Sequence, residues 1–395
     1  MERRDLLRGA GLAALAALSL AGAPAFAAGE PLKVGLILPM TGPFASTGRE
    51  IEAAARLYIT QHGPEVAGRD IELVVKDDAG VADTTKRLAQ ELIVRDKVAV
   101  IAGFGLTPLA LAAAPLATRA KVPEIVMAAA TSIITEQSPY VVRTSYTTPQ
   151  VTSKIADWAI SDGIKRVVTL VSDYGPGTDA EKTFREVFAA GGGEVVDSLR
   201  VPLANPDFSP FLQKVADLKP DAVFVFVPSG VGAPFMKQYV ERGLDTSGIK
   251  LIADGGITDD DILNSMGDPA LVAITGFHYS AAHDSPENKA FVEAFKAANP
   301  GMRPNFMAVG GYDGMALLYQ ALEKTGGKSD GDSLIEAMKG LSWESPRGPV
   351  TIDPETRDII QNVYMRRVER GADGELWNVE FETFEAVKDP GKSGS

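Results

Sequence analysis

The sequence predicts an α/β chain of two consecutive Rossmann-like lobes, each built on a parallel sheet. Three observations lead there. Short apolar runs alternate with amphipathic stretches of helical length, the pattern of βαβ units. The alternation passes through four strands and then restarts for four more. No short-period repeat is present, which excludes a solenoid.

In the first set, Lys33–Met40 reads as a buried strand, and Glu50–His62 as a helix with Ile51, Ala54, Leu57 and Tyr58 on one face. Asp70–Lys76, Val98–Phe104 and Pro123–Ala130 are further strands, separated by helices over Asp83–Arg95 and Leu109–Arg119. The second set has strands at Lys165–Ser172, Glu194–Val201, Ala222–Pro228 and Lys250–Asp254. Helices at Asp179–Ala190, Phe208–Leu218 and Gly232–Arg242 lie between them. The tail is less regular. Ser285–Ala298, Gly314–Lys324 and Asp332–Leu341 have helical spacing, then Val350–Ile352, Ile359–Glu369 and Trp377–Phe384 read as strands. Lys388–Ser395 is expected to fray.

With 395 residues, 45% hydrophobic and 23% charged, the chain has material for more than one core. The net charge of −13 argues against nucleic acid, whose binding rests on phosphate neutralisation. The absence of cysteine removes disulfides, thiolate nucleophiles, cysteine-bound zinc and a lipid-bearing N-terminal cysteine. Only His62, His278 and His283 are present, too few for a histidine-rich metal site, so neither metal nor cofactor is expected.

Residues 1–28 read as a signal peptide. Arg3, Arg4 and Arg8 make a basic start, Leu12–Gly22 is a short apolar run, and Ala25-Phe26-Ala27 is an A-x-A cleavage pattern. The arginines fit either twin-arginine or general secretory export. No later apolar stretch is long enough to span a bilayer, so the mature chain is expected to be soluble and periplasmic.

In open α/β sheets, ligands bind beyond the carboxyl ends of the strands. Here those ends carry small, hydroxylated and glycine-punctuated segments: residues 39–48 including Thr47, Gly105–Pro108 with Thr107, and Ala128–Ser132 with Thr131. In the second set they are Asp173–Thr178 with Tyr174, Pro228–Gly230 with Ser229, and Asp254–Gly256. Such ends at helix N-termini suit a carboxylate, although each alone is also an ordinary capped turn. No nucleophile elbow, phosphate-binding P-loop, zinc-protease motif or dinucleotide fingerprint is present, so no enzyme is expected. His278 and His283 read as polar hinge or surface residues. Asp259–Asp261 read as a solvated helix start, and Phe306 and Tyr312 as either core or pocket lining.

The segments KVGLILPMTGPFASTG (33–48), VAVIAGFGLTPLALAAAP (98–115), PEIVMAAATSIIT (123–135), VVTLVSDYGPG (167–177) and RPNFMAVGGYDGMALLYQALEKTGG (303–327) carry a resemblance. In this order they resemble periplasmic solute-binding proteins of the branched-chain amino-acid (Leu/Ile/Val-binding) ABC-transporter family. The resemblance implies the type I fold, two lobes joined by three crossovers near Thr144–Tyr146, Gly276–His278 and Ser345–Gly348 and closing like a flytrap. It divides the chain into lobe 1 (29–145 plus 278–346) and lobe 2 (146–277 plus 347–395). It further implies a monomer that captures a small carboxylate or amino acid and delivers it to a membrane permease.

Carried onto this chain, Thr107, Ala128 and Thr131 would hold the ligand carboxylate, Tyr174 would cover the ligand, and Thr47 stands where relatives have an aromatic residue. Asp254 is the nearest match to the acid that pairs with an ammonium, with a shorter arm than the usual glutamate. The GLTP loop is poor in serine. These departures keep an amine-free aromatic carboxylate, of benzoate or phenylpropenoid type, open as the ligand. A periplasmic sensor module is the alternative role.

Overall fold

The computed structural model describes residues 31–392, so the expected signal peptide lies outside the described residues. The smaller sheet contains β1 (Leu32–Leu38), β2 (Glu65–Val66), β3 (Arg69–Asp77), β4 (Val100–Gly103), β5 (Glu124–Val126) and β6 (Val141–Arg143), in the order β2-β3-β1-β4-β5-β6. All pair in parallel except the short β2, which is antiparallel to β3. Helices α1 (Ala45–His62), α2 (Ala82–Glu91) and α3 (Thr107–Ala120) connect its strands. The central strand β1 is almost wholly buried, as an apolar run covered on both faces should be.

The chain then passes to the larger sheet. Its parallel strands are β7 (Arg166–Ser172), β8 (Glu194–Val201), β9 (Ala222–Phe226), β10 (Lys250–Asp254) and β11 (Ala273–Phe277). They alternate with α4 (Thr148–Ser161), α5 (Gly175–Ala190), α6 (Ser209–Leu218), α7 (Gly232–Glu241) and the short α8 (Leu263–Met266). After β11 the chain returns to pack α9 (Pro286–Ala298), α10 (Phe306–Thr325) and α11 (Gly331–Met338) with the smaller sheet, α10 lying along α1. It finishes with antiparallel β12 (Ser342–Ser345), β13 (Gly348–Ile352), β14 (Ile359–Arg370) and β15 (Leu376–Val387). The order β12-β13-β14-β11-β10-β9-β7-β8, with β15 on β14, joins these to the larger sheet. Residues 342–345, expected in the first lobe, are therefore hydrogen-bonded into the second sheet, while Trp343 and Ser345 still reach Asp313 of α10.

Three crossings link the sheets, and irregular buried backbone needs partners for its carbonyls. Two fully buried arginines supply them. Arg347 donates to the carbonyls of Thr144 and Ser145 in the first crossing, to Gln361 of β14, and ion-pairs with Asp313 at 2.7 Å. Arg366 of β14 donates to the carbonyls of Tyr279, in the second crossing, and Gly255, and to Thr275 Oγ1.

Several sequence expectations are corrected here. Asp259 and Asp260 are buried rather than solvated: Asp259 accepts from Asn305, and Asp260 from Asn378 and the Ala281 amide. His278 is buried in the second crossing, stacked 4.7 Å from Tyr146, and burial drives its imidazole toward the neutral form. Residues 388–392 are not frayed: Lys392 is buried against residues 132–136 of the smaller lobe.

Replacing Arg347 by Met would leave the Asp313 carboxylate buried without its cation. A loss of about 3–5 kcal/mol is expected, read as a lower denaturant midpoint; an unchanged midpoint would contradict the cross-linking role.

Candidate functional site

Each sheet has a switch point where successive connections run to opposite sides. In the smaller it lies between β1 and β4, and in the larger between β7 and β9. The carboxyl ends at these points face one another across a cleft. The first sheet contributes Thr47 at the start of α1, Gly105–Thr107 after β4, and Ala128–Ala130 after β5. The second contributes Tyr174 after β7, Phe226–Ser229 after β9, and Asp254 and Gly256 after β10. Tyr146 of the first crossing and Phe306 at the start of α10 complete the walls.

Local backbone explains why these ends converge. β4 ends in Gly103 and Phe104 with φ of 109° and 65°, so the chain turns sharply over β1, where the Gly103 position leaves a Cβ only 2.6 Å from the Ile37 carbonyl oxygen. Phe104, fully buried, holds a left-handed conformation uncommon for its type, and that strain presents Gly105–Thr107 to the cleft. The turn lets α3 begin at Thr107, whose hydroxyl lies 2.8 Å from that of Thr131.

The cleft is shut. A Cβ at Gly175, the first residue of α5, would come within 2.7 Å of Thr131 Oγ1, so the helix start of one lobe rests on the threonine pair of the other. Ser46 donates to Asp261, Asn305 Nδ2 to Asp259 at 3.1 Å, and the Ser132 amide to Asp179 at 3.0 Å, all between the lobes.

Part of the cleft wall offers groups of the kind that suit an anion. Two helix N-termini, of α3 and α5, meet at the threonine pair. Ala130 and Thr131 are buried, yet their amides engage no acceptor among the described residues. No lysine or arginine lines the cleft, so hydroxyls and amide dipoles supply the positive potential.

Asp254 is the single carboxyl among the residues that line the cleft. Asp254 is 2% exposed; its Oδ1 accepts from the Gly256 amide at 3.0 Å, and its Oδ2 is buried without a partner. Burial pushes this carboxyl up to about 7, with the Gly256 amide and the Arg366 charge opposing part of the rise. The hydroxyls of Tyr146 and Tyr174 are also raised, mainly by burial and then by the Asp254 carboxylate, which places all three groups within electrostatic reach.

Of the residues singled out from sequence, Thr47, Thr107, Ala128, Tyr174, Ser229 and Asp254 line the cleft, and Thr131 stands against Thr107. Phe306 lines it too, whereas Tyr312 belongs to a separate aromatic group with Tyr58 and His62. Sequence reasoning missed the aromatic walls Phe44, Tyr146 and Phe226. Phe44 and Phe226 sit at strand ends where an aromatic residue was visible but unremarked, and Tyr146 comes from a crossing with no periodicity to flag it.

Two α/β lobes shut over a cleft between facing switch points have the architecture of a ligand-capturing protein. A family model described as periplasmic binding protein matches residues 31–375, and the chain belongs to that family. It is 48% identical over 384 residues to the Leu/Ile/Val-binding protein homolog 6 of Brucella melitensis, covering 96% of this chain and 98% of that one. A crystal structure of an ABC-transporter solute-binding protein from Rhodopseudomonas palustris BisB5, in complex with 3,4-dihydroxybenzoic acid, superposes with a TM-score of 0.90. It is 66% identical, covering 92% of this chain and 99% of that chain. A further R. palustris solute-binding protein, in complex with 4-hydroxybenzoate, gives 0.88 at 44% identity, with 92% and 99% covered. This chain is an ABC-transporter solute-binding protein of the type I fold. Among the described residues no helix is long and apolar enough to cross a membrane.

The Asp254 carboxyl titrates at about 7 when folded and near its ordinary value of 3.8 when unfolded. Between those values the folded chain binds the extra proton, so this group's contribution to stability falls as pH rises through that window. Asp254→Asn should therefore raise the melting temperature of the ligand-free protein relative to wild type more at pH 8 than at pH 5. A difference independent of pH would contradict the assignment.

Proposed function

We propose that this chain captures a hydroxylated, amine-free aromatic carboxylate of the hydroxybenzoate class in the periplasm and delivers it to an ABC-transporter permease. The observation that carries the reading is Asp254 Oδ2, buried without a partner within electrostatic reach of two tyrosines, in a cleft that also holds the Thr107 hydroxyl. A phenolic hydroxyl is a neutral partner for a carboxyl that burial holds near half-protonated at neutral pH. A bound carboxylate would face a second negative charge if Asp254 were ionised; protonation removes that repulsion. The ring would lie among Phe44, Phe226 and Phe306 and the two tyrosines. The hydroxybenzoates named for the R. palustris proteins support the same class.

In this reading Thr107, Thr131 and the Ala128 segment hold the carboxylate, and Tyr174 covers the ring. Ser229 and Asp254 face the hydroxyl, while Thr47 leaves room where a larger side chain would narrow the cleft. Binding is the whole task, with no turnover. The two lobes, one built on each sheet, close as bodies about the three crossings. Residues 1–28 direct export and are removed, and the mature chain works as a monomer without cofactor. A branched-chain amino acid is the other ligand class, and its ammonium would need Asp254 ionised.

Calorimetry of 4-hydroxybenzoate and leucine on refolded protein separates the two. Hydroxybenzoate binding near pH 7 should take up a proton at Asp254, whereas an ammonium would drive a proton off, and the sign is read from the buffer dependence of the binding enthalpy. Asp254→Asn should spare the hydroxybenzoate and abolish leucine. Binding of leucine alone, with proton release, would sink the aromatic reading.

Thr107→Val should weaken any carboxylate ligand by about 1.5–3 kcal/mol, the worth of a hydrogen bond to a charged group. An unchanged Kd would remove Thr107 from the carboxylate site.

A further inference from the structure

We infer that Arg143 and Lys392 are positioning residues that make the lobe 1 loop selective for a carboxylate over its neutral amide. The inference rests on the reading that this loop receives the ligand's carboxylate. Its starting point is the direction of four consecutive carbonyls. Arg143 of β6 donates to the carbonyl oxygens of Ala129 and Thr131 at 3.1 and 2.8 Å. The Ala130 carbonyl accepts from the Thr148 amide at 2.9 Å, and that of Ser132 accepts from Lys392 Nζ. Both cations are buried and share one acid: Asp358 lies 2.8 Å from Arg143 Nε and 3.0 Å from Lys392 Nζ.

A peptide carbonyl oxygen is the negative end of its dipole. A loop free to turn would bring such oxygens toward the cleft, where they welcome an amide N–H and repel a carboxylate. Held three on buried cations and one on the Thr148 amide, the four oxygens are kept off the ligand, and the amides of Ala130 and Thr131 remain available to it. Lys392 belongs to the segment following β15 of the larger sheet, so the loop's orientation depends on a strap from the other lobe. Asp389 on the same strap accepts from the Ser132 hydroxyl, and Lys392 also donates to Thr135 Oγ1 at 2.9 Å and lies 3.5 Å from Glu136.

The test compares Kd for 4-hydroxybenzoate and 4-hydroxybenzamide in wild type, Lys392→Met and Lys392→Arg. Lys392→Met should weaken the acid about tenfold while moving the amide by no more than about twofold, because the change acts on the ligand's charge. Lys392→Arg should restore the acid. A purely structural strap would weaken both ligands equally, and that result, or an unaltered acid Kd, overturns the inference. If Lys392→Met does not fold, deletion of residues 388–395 repeats the comparison. If wild type binds leucine rather than the hydroxybenzoate, the aromatic reading has failed on its own. Leucine and leucinamide then form the acid and amide pair, and the same selectivity ratio decides the role of Lys392.

Discussion

The structure depends on buried cations that take up the carbonyls of irregular backbone. Three crossings and a long binding loop run through the interior of this molecule without a ladder to satisfy their polar groups. Arg143, Arg347, Arg366 and Lys392 meet that demand, each reaching two or more acceptors and each lying beside an acid. A guanidinium suits this role because its planar fork engages several oxygens at once and keeps its charge when buried. The alternative, an orphaned buried carbonyl, would loosen the crossings and the Ala129–Ser132 segment.

These cations also explain a division of labour in the cleft. Positive charge sits behind the binding surface, and no lysine or arginine enters it. The surface itself offers hydroxyls, amides and aromatic faces, groups that impose direction without the cost of stripping water from an exposed cation. The one carboxyl that lines it, Asp254, has its charge suppressed by burial. The lining therefore presents directed hydrogen-bonding groups and aromatic faces, with the cationic side chains kept behind it.

Much of this was legible in the sequence, because βαβ periodicity follows directly from burying a parallel sheet on both faces. The principal strands of both lobes and the loops that line the cleft follow from that rule. The short strands β6 and β11 escaped it, since three and five residues leave no pattern to count. The acids 259–261 looked solvated because charge near a helix start usually is. Here Asn305 and Asn378 bury two of them at the meeting of the lobes, a long-range fact without a local signal. The terminal strap failed for the same reason: small polar residues predict fraying unless something distant binds them, and Ser132, Thr135 and Asp358 do. Among the cleft residues, Thr107 and Asp254 stood out by position after a strand. The walls Tyr146 and Phe226 did not, since an aromatic residue reads alike whether it faces core or ligand.

The contact at Gly175 sets a mechanical limit on what can be bound. Because a Cβ at Gly175 would meet the Thr131 hydroxyl at 2.7 Å, the two lobes behave as the jaws of a calliper with no room for a side chain on the Gly175 jaw. Any substituent at that position would act as a shim and prop the jaws apart whatever the cargo. New ligand preferences on this scaffold must therefore come from resizing the side walls at Phe44, Phe226 and Ser229, while the spacing of the jaws at Gly175 stays fixed.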